Sequence, residues 1–278
     1  MIDYVDANTY ASIAHYRVNP DYEGHRIKWN PDITRQNSVV FVKKGLIRWF
    51  FHHTKNSPFK HILITHLDDD PIDFTEFSKK PFSVVKWYAE NACYNHPDLI
   101  PIPFGLDPHY GVCACHNAQQ KFDSFMNNIE TCKSIPKATD VVYCNWDVSN
   151  NPAERANVVE KLNVKYIWEG DSGKHKLSYE DHLKRSASFK FIISPPGNGV
   201  DAVRQWQTIY SNCVPIVLDH NIYKECDDLP MIRVKKWEDV TEDLLQSYLE
   251  LEKTKKFNYE ILTNTYWKNR IMGEYNKL

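Results

Sequence analysis

"FIISPPGNGVDAVRQW", residues 191–206, sets an apolar run against two of the chain's nine glycines, with an amphipathic run directly behind them. The first run reads as a buried strand, and Val203, Trp206 and Tyr210 recur at helical spacing. A strand that turns through Pro195-Pro196-Gly197-Asn198-Gly199 into a helix leaves backbone amides of the turn and of the helix's first turn without partners. The positive end of the helix dipole lies behind them. Such a corner attracts phosphate, and strand, Gly-rich turn and helix together form the repeating unit of a parallel α/β sheet. Taken alone, the Gly-x-Gly also fits a plain strand-to-helix corner. Arg204, one turn into the helix, fits either a diphosphate or an ion pair with Asp201.

The same alternation runs along the chain. Strand-length apolar runs occur at 39–42, 61–65, 83–88, 140–144, 164–168, 189–193, 214–218 and 231–234. Stretches with helical spacing, such as 151–162 and 178–186, lie between several of them. This predicts parallel sheets with helices on both faces. The polar gap from Gly111 to Asp140 is the best place for a domain boundary. It divides the chain into a Rossmann-like half over 1–135 and a second over 136–278. Thr241 is placed to cap a further helix, with Val240 and Leu245 at staple positions and acids in its first turn. The stretch "FNYEILTNTYWKNRIM", 257–272, fits either a helix that crosses back to the first half or one that packs on the second.

Composition narrows the function classes. Lys and Arg total 34 against 36 Asp and Glu, in short scattered pairs, so no phosphate-tracking basic stripe is present and nucleic acid is not an expected partner. No segment nears the roughly 18 apolar residues that cross a bilayer. The start lacks a signal-peptide pattern, and an odd count of seven cysteines suits reduced thiols, so a cytoplasmic setting is expected. Cys113, Cys115, His116 and Cys132 lack the repeated spacing of a zinc site, and no metal is expected there.

Two stretches carry a family resemblance. "SPPGNGVDAVRQWQTIYSNCVPIVL", 194–218, followed by "DDLPMIRVKKWEDVTEDLL", 227–245, resembles the nucleotide-sugar half of the exostosin-like glycosyltransferases. That family shows a Pro-x-Gly turn, an Arg, an aromatic-Glu-Ala helix, Gly-Cys-x-Pro-x-Val and a Trp-containing strand-to-helix segment. "NNPAER" at 150–155 and "KWYAENA" with "IPIPFGLD" between 86 and 107 are similar to segments of smaller bacterial and viral members. If the chain is viral, the expected cytoplasm is the host's. The resemblance implies the GT-B architecture, two Rossmann-like domains whose parallel sheets face a central cleft. It also implies an inverting transfer from a nucleoside-diphosphate sugar to a glycan hydroxyl, with no cofactor required. Uridine donors come first, UDP-xylose among them.

Carried over residue by residue, the resemblance puts Pro196, Gly197, Asn198 and Gly199 under the diphosphate, with Arg204 beside it and Asp201 at the same corner. Gln207 stands where the family has the Glu that holds the ribose. Asn212 replaces a Gly before Cys213, and Pro196 replaces a frequent basic residue. Asn145, Ser149 and Arg155 follow the first strand of the second half and are placed to reach the donor, Arg155 being equally a helix-surface charge.

Inverting transfer also needs a base for the acceptor hydroxyl. "HILITHLDDDPID", 61–73, delivers His66, Asp68, Asp69, Asp70 and Asp73 to a strand's carboxyl end, where open α/β sheets bind ligands. The candidates taken from it are His66, Asp68, Asp69 and Asp73, against the plain reading of a solvated turn with a helix cap. Asp107 and His109 come second, and Tyr22, Glu23 and His25 are weaker acceptor-side candidates. Asp68-Asp69-Asp70 also fits the Asp-x-Asp metal clamp of a GT-A-type glycosyltransferase. A non-catalytic carbohydrate-binding protein on the same scaffold is the alternative outside catalysis.

Overall fold

The structure is a computed structural model that describes residues 3–18, 29–106, 118–169 and 177–278. It contains two five-stranded parallel sheets. The first is built from β1 (Tyr16–Val18), β2 (Ser38–Lys43), β3 (His61–His66), β4 (Val84–Ala89) and β5 (Leu99–Pro101) in sequential order. The second, from β6 (Ala138–Tyr143), β7 (Ile167–Trp168), β8 (Phe189–Ile193), β9 (Val214–Leu218) and β10 (Ile232–Val234), runs β10-β9-β8-β6-β7. Helices α1 (Ala7–Ile13), α2 (Ile47–Thr54) and α3 (Phe74–Phe77) accompany the first sheet, and α4 (Ala118–Ser134) lies between the sheets in sequence. With the second come α5 (Pro152–Arg155), α6 (Val158–Lys161), α7 (Tyr179–Ser186), α8 (Val203–Tyr210), α9 (Glu242–Glu252) and α10 (Asn264–Tyr275).

Strand order explains where α10 goes. Right-handed crossovers that always advance the same way place their connections on one face of a sheet. On that face Val40, Val42, Leu63 and Trp87 bury against Ile47, Phe50 and Phe51 of α2. Successive strand residues point to opposite faces, so Val39, Phe41, Ile62, Ile64 and Tyr88 need another cover. They receive Tyr10 and Ala11 of α1 and Trp267 and Ile271 of α10, and the same apolar cluster continues into Trp206, Ile209 and Tyr210 of α8. Thus α10 packs on α1, β2 and β3.

The polar gap expected to part the halves contains a 17-residue helix, α4, which buries Phe125, Ile129 and Cys132 in that shared cluster and packs on α7. The helix expected over 151–162 is instead two short ones, α5 and α6, broken at Asn157. Helix α9 begins as its sequence predicts, with the Thr241 side chain accepting from the Leu244 amide. Helix α8 ends with Asn212 at φ 59°, its amide donating to Ile209 O and the Cys213 amide to Thr208 O. That left-handed position is the one glycine fills most easily, and Asn is the next residue to tolerate it. Among the described residues no helix is long and apolar enough to cross a membrane.

Candidate functional site

The chain leaves β6 outward to β7 and then returns past β6 to β8, so the connections after these two neighbours depart in opposite directions. Such a reversal opens a crevice beyond the strands' carboxyl ends. Its walls are the residues after β6, beginning Cys144-Asn145, and the turn Ser194–Gly199 after β8.

The turn is pinned through its carbonyls. Arg155 Nε donates to Pro196 O (2.7 Å) and Asn151 Nδ2 to Gly197 O (2.7 Å). The amides of Gly197, Asn198, Gly199 and Val200 find no acceptor among the described residues, although Gly197 and Gly199 are buried. The next partnered amide is that of Asp201, which donates to Asn91 Oδ1 (2.8 Å). Buried N–H groups are rarely left without a partner. The corner therefore presents donors and asks for an acceptor.

Two guanidiniums stand behind it. Arg155 is buried and also donates through Nη1 to Asp147 O (2.8 Å), while Arg204 Nη1 donates to Asn145 O. Neither has a carboxylate ion-pair partner among the described residues. Burial, and then the charge of Arg155, bring the Arg204 pKa down to about 10, which leaves it charged at neutral pH. Burial also lowers the Arg155 pKa, against the pull of Asp147. Asp147 compensates Arg155 in part from beyond ion-pair distance, and Arg204, enclosed beside a like charge, favours an incoming anion.

Other residues of the expected donor set are differently employed. Gln207 Nε2 donates to Tyr179 OH (2.6 Å) and lines, with Arg204, Tyr143 and His182, a space of only about 20 Å³. Ser149 donates through Oγ (2.6 Å) and its amide (2.9 Å) to its neighbour Asp147. Asn145 Nδ2 donates to Tyr143 OH (2.9 Å), so Asn145 offers its carbonyl, and that to Arg204.

Asp201 makes no ion pair with Arg204 and does not face the crevice. It is enclosed where the halves meet, accepting from the Phe104 amide (2.7 Å), Gln205 Nε2 (2.6 Å) and Trp206 Nε1 (2.7 Å). Burial lifts its pKa most, Glu90 adds to the rise, and the bonds from Phe104 and Trp206 oppose it; the pKa comes to about 7.

The acidic loop after β3 meets the turn from the other half. Leu67 (φ 71°) and Asn91 (φ 50°) both adopt left-handed backbone here, and Asn91 Nδ2 donates to Asp68 O (3.0 Å). His66, expected as a base, is 0% exposed: its Nδ1 lies 2.8 Å from Glu90 Oε2 and its Nε2 3.2 Å from Phe104 O. The Leu67 amide is 3.0 Å from the same Nδ1. The shorter, charge-assisted carboxylate contact places a proton on Nδ1. Burial works to lower the His66 pKa, yet Glu90 outweighs it and the net direction is up. A ring so enclosed presents no nitrogen to a substrate, which corrects its catalytic assignment.

Asp73 caps α3, accepting from the Glu76 amide (2.8 Å), as the plain reading had it. Asp68 Oδ1 accepts from the Asp70 amide (3.0 Å), and the Asp68 amide donates to Glu90 Oε1 (2.6 Å). Of the four expected acid-base residues, Asp69 is the exposed one beside the glycine turn: its carbonyl oxygen lies 3.2 Å from where a Gly199 Cβ would sit.

Two larger cavities flank this meeting point. One, of about 500 Å³, is lined by Gly45, Arg48, Asp68, Asp70, Asp73 and Glu76 of the first half. The other, of about 370 Å³, lies behind the glycine turn and includes Ser194, Glu154, Asp219, His220 and Lys235. Sequence reasoning missed the last five together with Glu90, Asn91 and Asn151. The usable signal was their position just past strand ends: Glu90 and Asn91 after β4, Asp219 and His220 after β9, Lys235 after β10. Tyr22, Glu23, His25, Asp107, His109, Cys113, Cys115 and His116 lie outside the described residues.

No family model and no curated protein matches this chain.

Proposed function

We propose that the chain is an inverting glycosyltransferase that moves a sugar from a UDP-sugar to a hydroxyl of a glycan acceptor. The observation that carries this is the corner itself: free amides of Gly197, Asn198, Gly199 and Val200 at a sheet's switch point, with Arg155 and Arg204 behind them and, among the described residues, no carboxylate in ion-pair contact with either. That combination suits a diphosphate, whose negative charge grows as it departs. The exostosin-like residues of 194–245 supply the choice of reaction, and two parallel sheets whose carboxyl-end loops meet support the GT-B arrangement over GT-A.

In this reading the amides and Arg204 hold the leaving diphosphate, while Arg155 both fixes the turn and contributes charge. Asp69 is the base for the acceptor hydroxyl, approaching from the first half beside the glycine turn. Attack on the anomeric carbon in line with the departing diphosphate then inverts it. UDP-xylose is the first donor to try.

The test is a titration of the full chain with UDP, followed by UDP release from UDP-sugars. A ligand held only by the native state raises the melting temperature. If UDP neither binds nor shifts the melting temperature at millimolar concentration, the reading fails.

A further inference from the structure

The 370 Å³ cavity behind the glycine turn has a chemistry unlike that of the corner it adjoins. Its floor includes Ser194, whose Oγ is enclosed without a hydrogen-bond partner among the described residues. A buried hydroxyl in that state needs explaining, and it can both donate to and accept from a ligand hydroxyl. Around it stand the carboxylates of Glu154 and Asp219, the ammonium of Lys235 and the imidazole of His220. Burial lowers the His220 pKa, so the ring is neutral at pH 7 and the rim carries two negative charges against one positive. Arg233 Nε, 3.8 Å from Asp219 Oδ1, offsets part of this from outside the lining. Val200, Val217, Leu218 and Tyr223 form the apolar part of the lining.

A diphosphate is poorly served by that rim. A ring with hydroxyls on its edge and C–H groups on its face fits it: carboxylates accept from hydroxyls, Ser194 completes its own pairing, and the apolar wall takes the face. We propose that this cavity binds the sugar ring of the donor, that it takes uncharged sugars, and that Glu154 and Asp219 turn away sugars bearing a carboxylate. This rests on the reading of the corner as a diphosphate site. Gly197, Asn198 and Gly199 wall the cavity as well, so a ligand whose diphosphate is held by their amides carries its sugar to it.

Calorimetric titrations of the full chain with UDP, UDP-xylose, UDP-glucose and UDP-glucuronate test it, in the wild type and in Ser194→Ala and Glu154→Gln. Glu154 is exposed and its side chain makes no bond that α5 needs, so the second variant stays folded whatever the first does. The neutral sugar nucleotides are expected to bind more tightly than UDP, and UDP-glucuronate less tightly. Each variant should cut the advantage of the neutral sugars by about two- to tenfold, the worth of one hydrogen bond, and leave UDP affinity unchanged. Glu154→Gln should also narrow the gap between UDP-glucose and UDP-glucuronate. If UDP binds but both variants keep the full sugar advantage, or UDP-glucuronate matches UDP-glucose, the sugar subsite is overturned and the diphosphate corner stands. If UDP fails to bind while sugar nucleotides bind in a Ser194-dependent way, the corner is overturned and the subsite stands. Failure of every titration overturns both.

Discussion

The backbone of Gly199 rests against the side chain of Asn91: a Cβ built on Gly199 falls 2.9 Å from Asn91 Nδ2 and 3.2 Å from Asp69 O. Asn91 in turn joins the Asp68 carbonyl to the Asp201 amide, so one side chain ties the acidic loop of the first half to the glycine turn of the second. The two stretches that the chemistry needs are thereby set edge to edge.

Gly199→Ala and Gly197→Ala should separate this contact from ligand binding. The new methyl at 199 meets backbone and a committed amide, and overpacking of that kind costs about 1–3 kcal/mol. At 197 the nearest atom is the Arg155 Nη2 end at 3.3 Å, a side-chain tip that can yield, so stability should change by under about 0.5 kcal/mol. Urea denaturation of both variants measures the difference; equal losses would contradict it.

Arg204→Ala and Arg155→Ala should part in the same manner. Removing Arg204 frees only the Asn145 carbonyl and relieves repulsion with Arg155, so UDP affinity should fall about ten- to hundredfold with little unfolding. Removing Arg155 strips donors from both Pro196 O and Asp147 O, so stability should drop together with affinity. Unfolding curves beside UDP titrations distinguish the pair. A large stability loss with unchanged UDP affinity in Arg204→Ala would assign that residue to structure.

The buried acids at the seam predict a pH dependence. The Asp201 pKa is raised to about 7, so the native chain holds its proton where the unfolded chain has released it, and stability falls as pH climbs from about 4 to about 7. The His66 pKa is also raised; its contribution is complete below about 6.5 and is lost as pH rises through the folded value. The two effects share a sign. Asp201→Asn removes the first while placing an N–H against the Phe104 amide. The stability advantage of wild type over this variant should therefore shrink between pH 4.5 and 7.5. An advantage that grows over that interval would refute the assignment.

Transfer from a UDP-sugar should persist in EDTA, because amides and guanidiniums hold the diphosphate in this reading. Activity abolished by the chelator and restored by manganese would instead favour a metal at Asp68 and Asp70.

Much of this was legible beforehand because fully buried parallel strands announce themselves. The runs of β2, β3, β4, β8 and β9 are apolar on both faces, and their reading needs no knowledge of neighbours. Edge strands β1 and β5, three residues each, escaped, whereas β7 and β10, no longer than these, lie inside apolar runs at 164–168 and 231–234. Helix α4 escaped because polar residues dominate its surface, and Phe125, Ile129 and Cys132 acquire meaning only from what they pack against. The glycine turn was found from spacing, whereas Lys235, Asp219 and Glu154 reach the cavity behind it from three other elements, and no local pattern links them. His66, at a strand's end, and Asp201, just before a helix, misled for the same reason: a titratable side chain there looks alike whether it faces solvent or the seam.

The covering of the first sheet has a consequence for biosynthesis. Val39, Phe41, Ile62 and Ile64 find part of their shelter in Trp267 and Ile271, more than two hundred positions downstream. Until the ribosome has made and released that helix, one side of the early sheet has only α1 for cover. The emerging polypeptide is thus a client for chaperones through most of its translation, and an expression clone stopped before residue 264 should precipitate rather than yield a usable amino-terminal half.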